Sequence, residues 1–503
     1  SHYGDGIFKS TDGGQTWTAG TGVDFTGSAI SKLLVDPDNP QVLLAAVTEG
    51  GVYSNDNLAV DVPAIGIVRS TDTGQTWSRA YSGDHSGLDL IYDASRKTFY
   101  AAIRSQGIFQ STDQGASWAV LPRQPFVPST QDFTRASLAV RGGVLYAVIT
   151  DQNGVATSAS DCTGCAGLVA SGDGGQTWTL FTPPAGMFSV GKYSQGTYDQ
   201  FIAAPPGTTA LVLGGIDVWS GNPSTNNWTN LTNSYTAPKS RVHPDQHAIV
   251  CLSASTWIVG NDGGAWSTAD GGTSWTNMNA TLGAIQFYSV SADPATAGRL
   301  IGGSQDNGTA MATAGSLTWP NKFGGDGGHT AINPANPQQV FTENFGVSLM
   351  QSGDGGTTWL SVVDATTIPS STDHGEFYIP YTLDPTNPAQ VYLLTQRVWR
   401  GPAAPTAPGA GWTPISGDLT HPEIDSDIDP SGDDLTAIAV APSDGNVVYV
   451  GAFDGSLSRT INANSAPAGA LPTWTEMPAS GNSFAGPVAT IAVSPKDAQT
   501  LYW

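Results

Sequence analysis

The segment His243-Pro244-Asp245-Gln246-His247 sets two imidazoles and a carboxylate at alternate positions where an apolar run begins, and Asn261-Asp262-Gly263-Gly264 follows shortly after it. In an extended strand, alternation turns positions 243, 245 and 247 to one side. Further along stand Asp306-Asn307, Asp326, His329, Glu343-Asn344, Asp373-His374, Glu376, and Arg397 with Trp399 and Arg400. Carboxylates at this density suit hydrolysis by a protonated acid and an ionised base. The inverting form of that chemistry on a glycosidic bond needs the two groups about 6.5–9.5 Å apart. Asp245, Asp262 and Asp326 are the candidate acid/base groups. His243, His247, Asp306, His329, Glu343, His374, Glu376, Arg397 and Trp399 are candidates for contact with substrate, with Trp399, Tyr378 and Tyr288 available to stack on sugar rings.

Each assignment has a plainer counterpart. Asp262 and Asp306 are also the residues expected to cap their own hairpins through a side-chain to backbone bond. The imidazoles and Asp245, with Asp262 or Asp326, would serve a divalent ion equally well, yet no HExxH motif or cysteine cluster points to zinc. Glu423, Asp425, Asp427 and Asp429, followed by Asp433 and Asp434, crowd one connection. Asp425, Asp427 and Asp429 are hard-oxygen candidates for calcium, although the spacing is not that of an EF-hand, and a solvated loop is the plain alternative.

Composition limits what can position these groups. Charged residues are 12% of 503, and 42 acids against 19 bases leave a net charge of −23. That balance argues against nucleic acid and against anionic membrane surfaces. Gly 61 and Pro 33 make almost a fifth of the chain and are spread along its whole length, which excludes coiled coils and helical bundles. Hydrophobic residues at 39%, with 15 Trp, exclude disorder. No apolar run reaches the roughly 20 residues that span a bilayer. Low Lys, abundant Thr, Ser and Gly, and three cysteines predict an extracellular protein without a leader in this segment. Cys162 and Cys165 read as a local disulfide, and Cys251 as a buried residue beginning an apolar run.

An octapeptide, Ser/Thr-x-Asp-x-Gly-x-x-Trp, recurs from Ser10, Ser70, Ser111, Ser171, Thr268 and Ser352. Its Asp can accept backbone N–H bonds, its Gly allows positive φ, and its Trp can wedge between sheets. Trp228, Trp319, Trp412 and Trp474 stand where degenerate copies belong, giving ten Trp spaced 40 to 62 residues apart. Around each, apolar runs and turns read as four short strands, A to D, with the octapeptide between C and D. Four-strand units at this period are propeller blades. Residues 487–503 supply A and B alone, and 5–19 supply C and D alone. The expectation is an all-β fold: a single ten-bladed β-propeller over 1–503, its tenth blade closed by 486–503 with 1–20. By this topology, A–B and C–D turns share one face, and B–C hairpins and D-to-A crossovers share the other. His85, His243, His247, His329, His374 and His421 all fall on the second face, where function is expected.

The repeated octapeptide is the Asp-box. With the DPxNPxxVY-like strand A and the count of ten, it resembles the luminal propeller of sortilin-like receptors. It also resembles the oligoxyloglucan hydrolases, which carry similar blades in two seven-bladed rings. From Arg241 to Trp359, the series VHPDQHAIV, VGNDGGAWSTADGGTSW, AIQFYSVSADP, GGSQDNGT and FGGDGGHTAINP looks like bacterial sortilin-like proteins of glycosyl hydrolase type. In the xyloglucanases a catalytic Asp lies in an Asp-x-Gly-Gly B–C hairpin, which Asn261-Asp262-Gly263-Gly264 resembles, although the residue before Asp and the spacing after it differ. Sialidases also carry Asp-boxes, but their early Arg-Ile-Pro motif is not present. The resemblance implies a glycoside hydrolase acting on polysaccharide, or a module that binds a glycan, a peptide or a protein ligand. No cofactor beyond possible calcium is expected.

Overall fold

Runs such as Ser28–Val35, Leu43–Glu49 and Gly66–Ser70 carry the β-branched and small apolar residues that suit a pleated, half-buried surface, and they pair antiparallel in chain order. The structure, a computed structural model, describes residues 4–49, 64–81, 83–122, 135–150, 165–190, 193–235, 242–369, 371–421, 434–467, 470–477 and 486–503. Among these are nine four-stranded antiparallel sheets in which every strand pairs with its neighbour in sequence, as the A-to-D reading predicts. Sheets 28–79, 87–120, 135–181, 201–230 and 246–277 belong to one compact unit, Ser1–Gly283. Sheets 289–323, 330–364, 381–414 and 435–476 belong to a second, Ala284–Trp503.

Two-stranded pairs stand near the chain ends: Phe8–Lys9 with Thr18–Ala19, and Ala492–Val493 with Leu501–Tyr502. As strands, each pairs only within itself among the described residues. Ile7 and Phe25 beside the first pair pack on Ala45, Val47 and Val68 of the first sheet. Val488 and Ile491 beside the other pack on Ala437, Tyr449 and Leu457 of the last. Elsewhere the core lies between consecutive sheets of one unit, as where Tyr100 and Ile108 meet Leu138, Leu145 and Val169.

Two polar devices shape the turns. At A–B turns a carboxylate or amide ending strand A caps the backbone ahead: Asp384 Oδ1 accepts from Thr386 N (2.8 Å) and Asn387 N (3.2 Å). Asp36, Asp293 and Asn333 do the same. At the C–D turn of 70–77, Asp72 Oδ1 accepts from Gln75 N (3.0 Å) and Thr76 N (2.9 Å), and Oδ2 accepts from the Thr76 hydroxyl (2.6 Å). Ser70 Oγ donates to the same carboxylate (2.8 Å) and accepts from Gly74 N (2.9 Å). Asp12, Asp113, Asp173, Asp270 and Asp354 repeat this knot. The Thr76 hydroxyl and N–H, with Ser70, pull the Asp72 carboxyl down to about 2.

The wedge role expected of the octapeptide Trp varies with position. Trp77 is 3% exposed and packed in the first sheet's core, whereas Trp17 is 61% exposed. Trp77→Ala should therefore lower stability by about 3–5 kcal/mol, the range for a deleted buried aromatic. Trp17→Ala should stay within about 0.5 kcal/mol, as surface changes do. Urea unfolding of both variants checks this; equal losses would overturn the distinction.

Candidate functional site

In the first unit the sequence motif at 243–247 feeds the sheet 246–277, but not as a straight strand. Asp245 has a left-handed backbone (φ 64°), and the pairing slips by one residue between Gln246 and Ala248. The bend is fixed by Asp245 N and Gln246 N, which donate to Ile216 O (3.0 Å) and Gly215 O (2.8 Å) of the preceding sheet's B–C hairpin. The expected straight strand is therefore bent at Asp245, and the three side chains gather about the hairpin at 262–263. His243 lies over Gly263, where a Cβ would sit 2.5 Å from the ring. Asp245 is buried against Gln195, whose Nε2 donates to Oδ1 (3.0 Å). His247 Nε2 reaches Asp262 Oδ1 at 2.5 Å.

Asp262 stands in the B–C hairpin after strand Trp257–Asn261, a turn whose backbone needs capping. That work falls to Asn261 Oδ1, which accepts from Gly263 N (3.2 Å). Asn279 closes the other side: Oδ1 accepts from Ala265 N (2.8 Å) and Nδ2 donates to Gly263 O (3.0 Å). Gly264, at φ 110°, leaves room for that amide, since a Cβ would lie 2.1 Å from it. With the hairpin held by its neighbours, Asp262 is left to meet His247 and Tyr198, whose hydroxyl donates to Oδ2 (2.8 Å). The Tyr198 ring also stands edge-on to His247, centroids 4.9 Å apart.

A carboxylate oxygen of Asp245 lies within 4.8 Å of one of Asp262. Burial, then the charge of Asp262, pushes the Asp245 carboxyl up to about 6. Behind them Asp199 is fully buried, and neither of its oxygens has a hydrogen-bond partner among the described residues. Burial and the nearby Asp245 hold it well above the usual carboxylate range. Arg135 braces the same turn, donating to Thr197 O (3.1 Å) and to Tyr198 O. The arrangement sets a carboxyl raised to about 6 beside a second carboxyl that meets Tyr198 and His247. Gln195, Tyr198 and Asp199 escaped the sequence reading because no spacing rule joins a crossover to a hairpin some 60 residues later. Their place in a D-to-A crossover was the available signal.

In the second unit, Asp326 Oδ1 accepts from Asp306 N (3.1 Å), and Asp306 sits in a B–C turn at φ 61°. Asn344 Oδ1 accepts from Asp326 N (3.1 Å), and Glu343 Oε1 from His329 N (2.6 Å). Burial raises Glu343 well above its ordinary range and pulls His329 down to about 4, so His329 is neutral at neutral pH. Tyr288 faces Tyr378 and His329 at 4.5 and 5.1 Å, and Glu376 acts on its hydroxyl electrostatically. Tyr378, expected as a stacking platform, is 3% exposed and cannot present a face. Phe345 and Phe377, absent from the expectation, are exposed and nearly parallel, 5.7 Å apart. Trp399 donates from Nε1 to Asp373 Oδ2 (2.8 Å), which also draws Arg397 (3.7 Å). His374 Nδ1 meets Asp434 Oδ1 at 2.8 Å, and His421 Nδ1 meets Asp454 Oδ2 at 2.8 Å.

Cys251 ends, rather than begins, its strand, and burial raises its thiol to about 11. The proposed calcium ligands Asp425, Asp427 and Asp429 lie outside the described residues, as does the Cys162 half of the expected disulfide.

No protein-family model matches the chain. It is similar to a xyloglucanase of Paenibacillus sp, 25% identical over 317 residues that cover 54% of this chain and 29% of that protein. It is also similar to a xyloglucanase of Hypocrea jecorina (strain QM6a), 24% identical over 323 residues, covering 60% of this chain and 31% of that one. The chain thus spans under a third of the length of these curated relatives. Among solved structures, an ancestral GH74 enzyme aligns with 94% of this chain and 68% of its own, with TM-score 0.53 and 15% identity, a likeness of fold.

Proposed function

We propose that this chain is a secreted glycoside hydrolase acting on a polysaccharide, with Asp245 as the acid and Asp262 as the base. The observation that carries the reading is the Asp245–Asp262 pair: two carboxylates within 4.8 Å, one raised to about 6 by burial and by the other's charge. Unequal environments for adjacent carboxylates assign acid and base roles. Asp245, protonated below about pH 6, hands its proton to the leaving oxygen. Asp262, oriented by His247, takes a proton from the attacking group. Similarity to two xyloglucanases supports a β-glucan bearing side chains as the first polysaccharide to try. Asp326 and Asp306, joined through a backbone bond, and Glu343, His329, Glu376, His374, Arg397 and Trp399 fit contacts to a glycan in the second unit. A module that binds a glycan, peptide or protein partner, as the sortilin-like resemblance implies, is the second reading. It would take the exposed, near-parallel Phe345 and Phe377 as its anchor.

Incubating the chain with xyloglucan and a panel of other polysaccharides, with products read by mass spectrometry, tests the assignment. Cleavage is expected. Asp245→Asn and Asp262→Asn should each lower kcat by about 10²–10⁴, the range for one acid/base group, with Tm retained. Because Asp245 must carry its proton, the wild-type rate should fall as pH rises through about 6, and Asp245→Asn should lose that limb. Binding without cleavage would favour the second reading.

A chelator separates the metal alternative. Activity should survive EDTA; loss of activity on chelation, reproduced by His243→Ala or His247→Ala, would replace the carboxylate pair by a metal centre. A fall in Tm alone would point to structural calcium at Asp425, Asp427 and Asp429.

We also propose that the two end pairs complete a tenth blade in a single ring. The packing of Ile7 and Phe25 on the first sheet, and of Val488 and Ile491 on the last, supports it, because a sheet edge left unpaired invites aggregation. Removing residues 487–503 should then abolish soluble monomer in size-exclusion chromatography, and a stable truncated monomer would sink the closure.

A further inference from the structure

Asp245 is held from two directions. Its backbone is left-handed (φ 64°), and Asp245 N keeps it there by donating to Ile216 O (3.0 Å). A non-glycine residue in this region persists only where the surrounding structure over-determines it, and such positions cluster at functional sites. The side chain is buried, and its two oxygens are treated unequally. Oδ1 accepts from Gln195 Nε2 (3.0 Å), whereas Oδ2 has no hydrogen-bond partner among the described residues.

Gln195 reaches that oxygen from a fixed backbone. Gln195 N donates to Phe188 O (2.7 Å), and Gln195 O accepts from Tyr198 N (2.7 Å) and Asp199 N (3.0 Å). The next carbonyl, Gly196 O, accepts from the Thr150 hydroxyl (2.9 Å) and from Gln200 Nε2 (3.1 Å). A Cβ at Gly196 would stand 2.6 Å from Thr150 Cγ2, so the crossover lies hard against strand Val144–Thr150. The amide nitrogen brought to Asp245 in this way can only donate. Asp245 Oδ1 must then accept, and the proton of the neutral acid is carried on Oδ2.

We propose that Gln195 is the positioning residue of the acid, fixing the transferable proton on Asp245 Oδ2 and steadying the carboxylate that its departure leaves. The inference rests on the glycoside hydrolase reading, with Asp245 as acid, and assigns the group that orients it. As the bond from the anomeric carbon to the leaving oxygen breaks, the Oδ2 proton passes to that oxygen. The electron pair of the O–H bond stays on Asp245 as negative charge. Asp262 takes the proton of the attacking water, and both carboxyls then re-equilibrate with solvent. Once Asp245 is charged, the bond from Gln195 is charge-assisted, roughly twice as strong as a neutral one. An interaction that strengthens only as the reaction proceeds raises kcat rather than affinity. In the resting site the same bond favours the ionised carboxyl and so works against burial.

The experiment compares two substrates on the full chain. One is the polysaccharide it cleaves, beginning with xyloglucan; the other is a dinitrophenyl glycoside of the matching oligosaccharide, whose leaving group departs without a proton. Gln195→Met keeps the side-chain length and removes the donor. On the polysaccharide its kcat should fall about 10–100-fold, the worth of a hydrogen bond to a charged group, with KM and Tm little changed. On the dinitrophenyl glycoside the loss should shrink to a few-fold, and Asp245→Asn should show the same contrast. Gln195→Leu, a second side chain without a donor, should repeat it. Equal losses on the two substrates would make Gln195 merely structural and overturn the inference while leaving the hydrolase reading intact. So would a Gln195→Met variant that cleaves the polysaccharide as fast as wild type, or a contrast that Asp245→Asn does not share. A wild-type chain that cleaves neither substrate removes both.

Discussion

Every C–D octapeptide turn solves the same problem with one carboxylate. A tight turn after strand C leaves backbone N–H groups without a partner in the sheet. Asp72 collects two of these donors and the Thr76 hydroxyl, and Ser70 ties the start of the turn to the same group. With the turn fixed, strand D pairs back on strand C and the following Trp is aimed at a neighbour. Five further copies do the same work on unrelated loop lengths. The crossovers are then free to vary.

That division explains how much could be read from sequence. The octapeptide encodes its own hydrogen bonds within eight residues, so strand order, turn positions and the four-strand period were legible. Asp384 and its equivalents encode A–B turns in the same local way. Asp245 and Asp262 stood out for their residue types and their place in crossover and hairpin. Tyr198 did not, because its partner lies 64 residues away and only the packing of consecutive sheets brings them together. The bend at 243–247 has the same origin: backbone bonds from Asp245 and Gln246 to the previous sheet override the local pleat. Tyr378 illustrates the limit for aromatics, since sequence supplies a ring but not whether its face is covered.

Within the first unit the site is a balance between burial and charge. Asp199 and Asp245 are removed from water beside one another, and burial favours their protonated forms. Asp262, beside them, meets the Tyr198 hydroxyl and His247 Nε2. Asn261 and Asn279 cap the backbone of the same hairpin.

The octapeptide carboxylates have a bearing on where such a molecule can operate. A carboxyl held low stabilises the fold above its ordinary value of 3.8 and loses that contribution only as pH falls through about 2. Asp245 keeps its proton up to about pH 6. Between those limits the turns remain ionised and knotted while the site is charged with its acid. The repeat thus acts as acid-proofing for the scaffold.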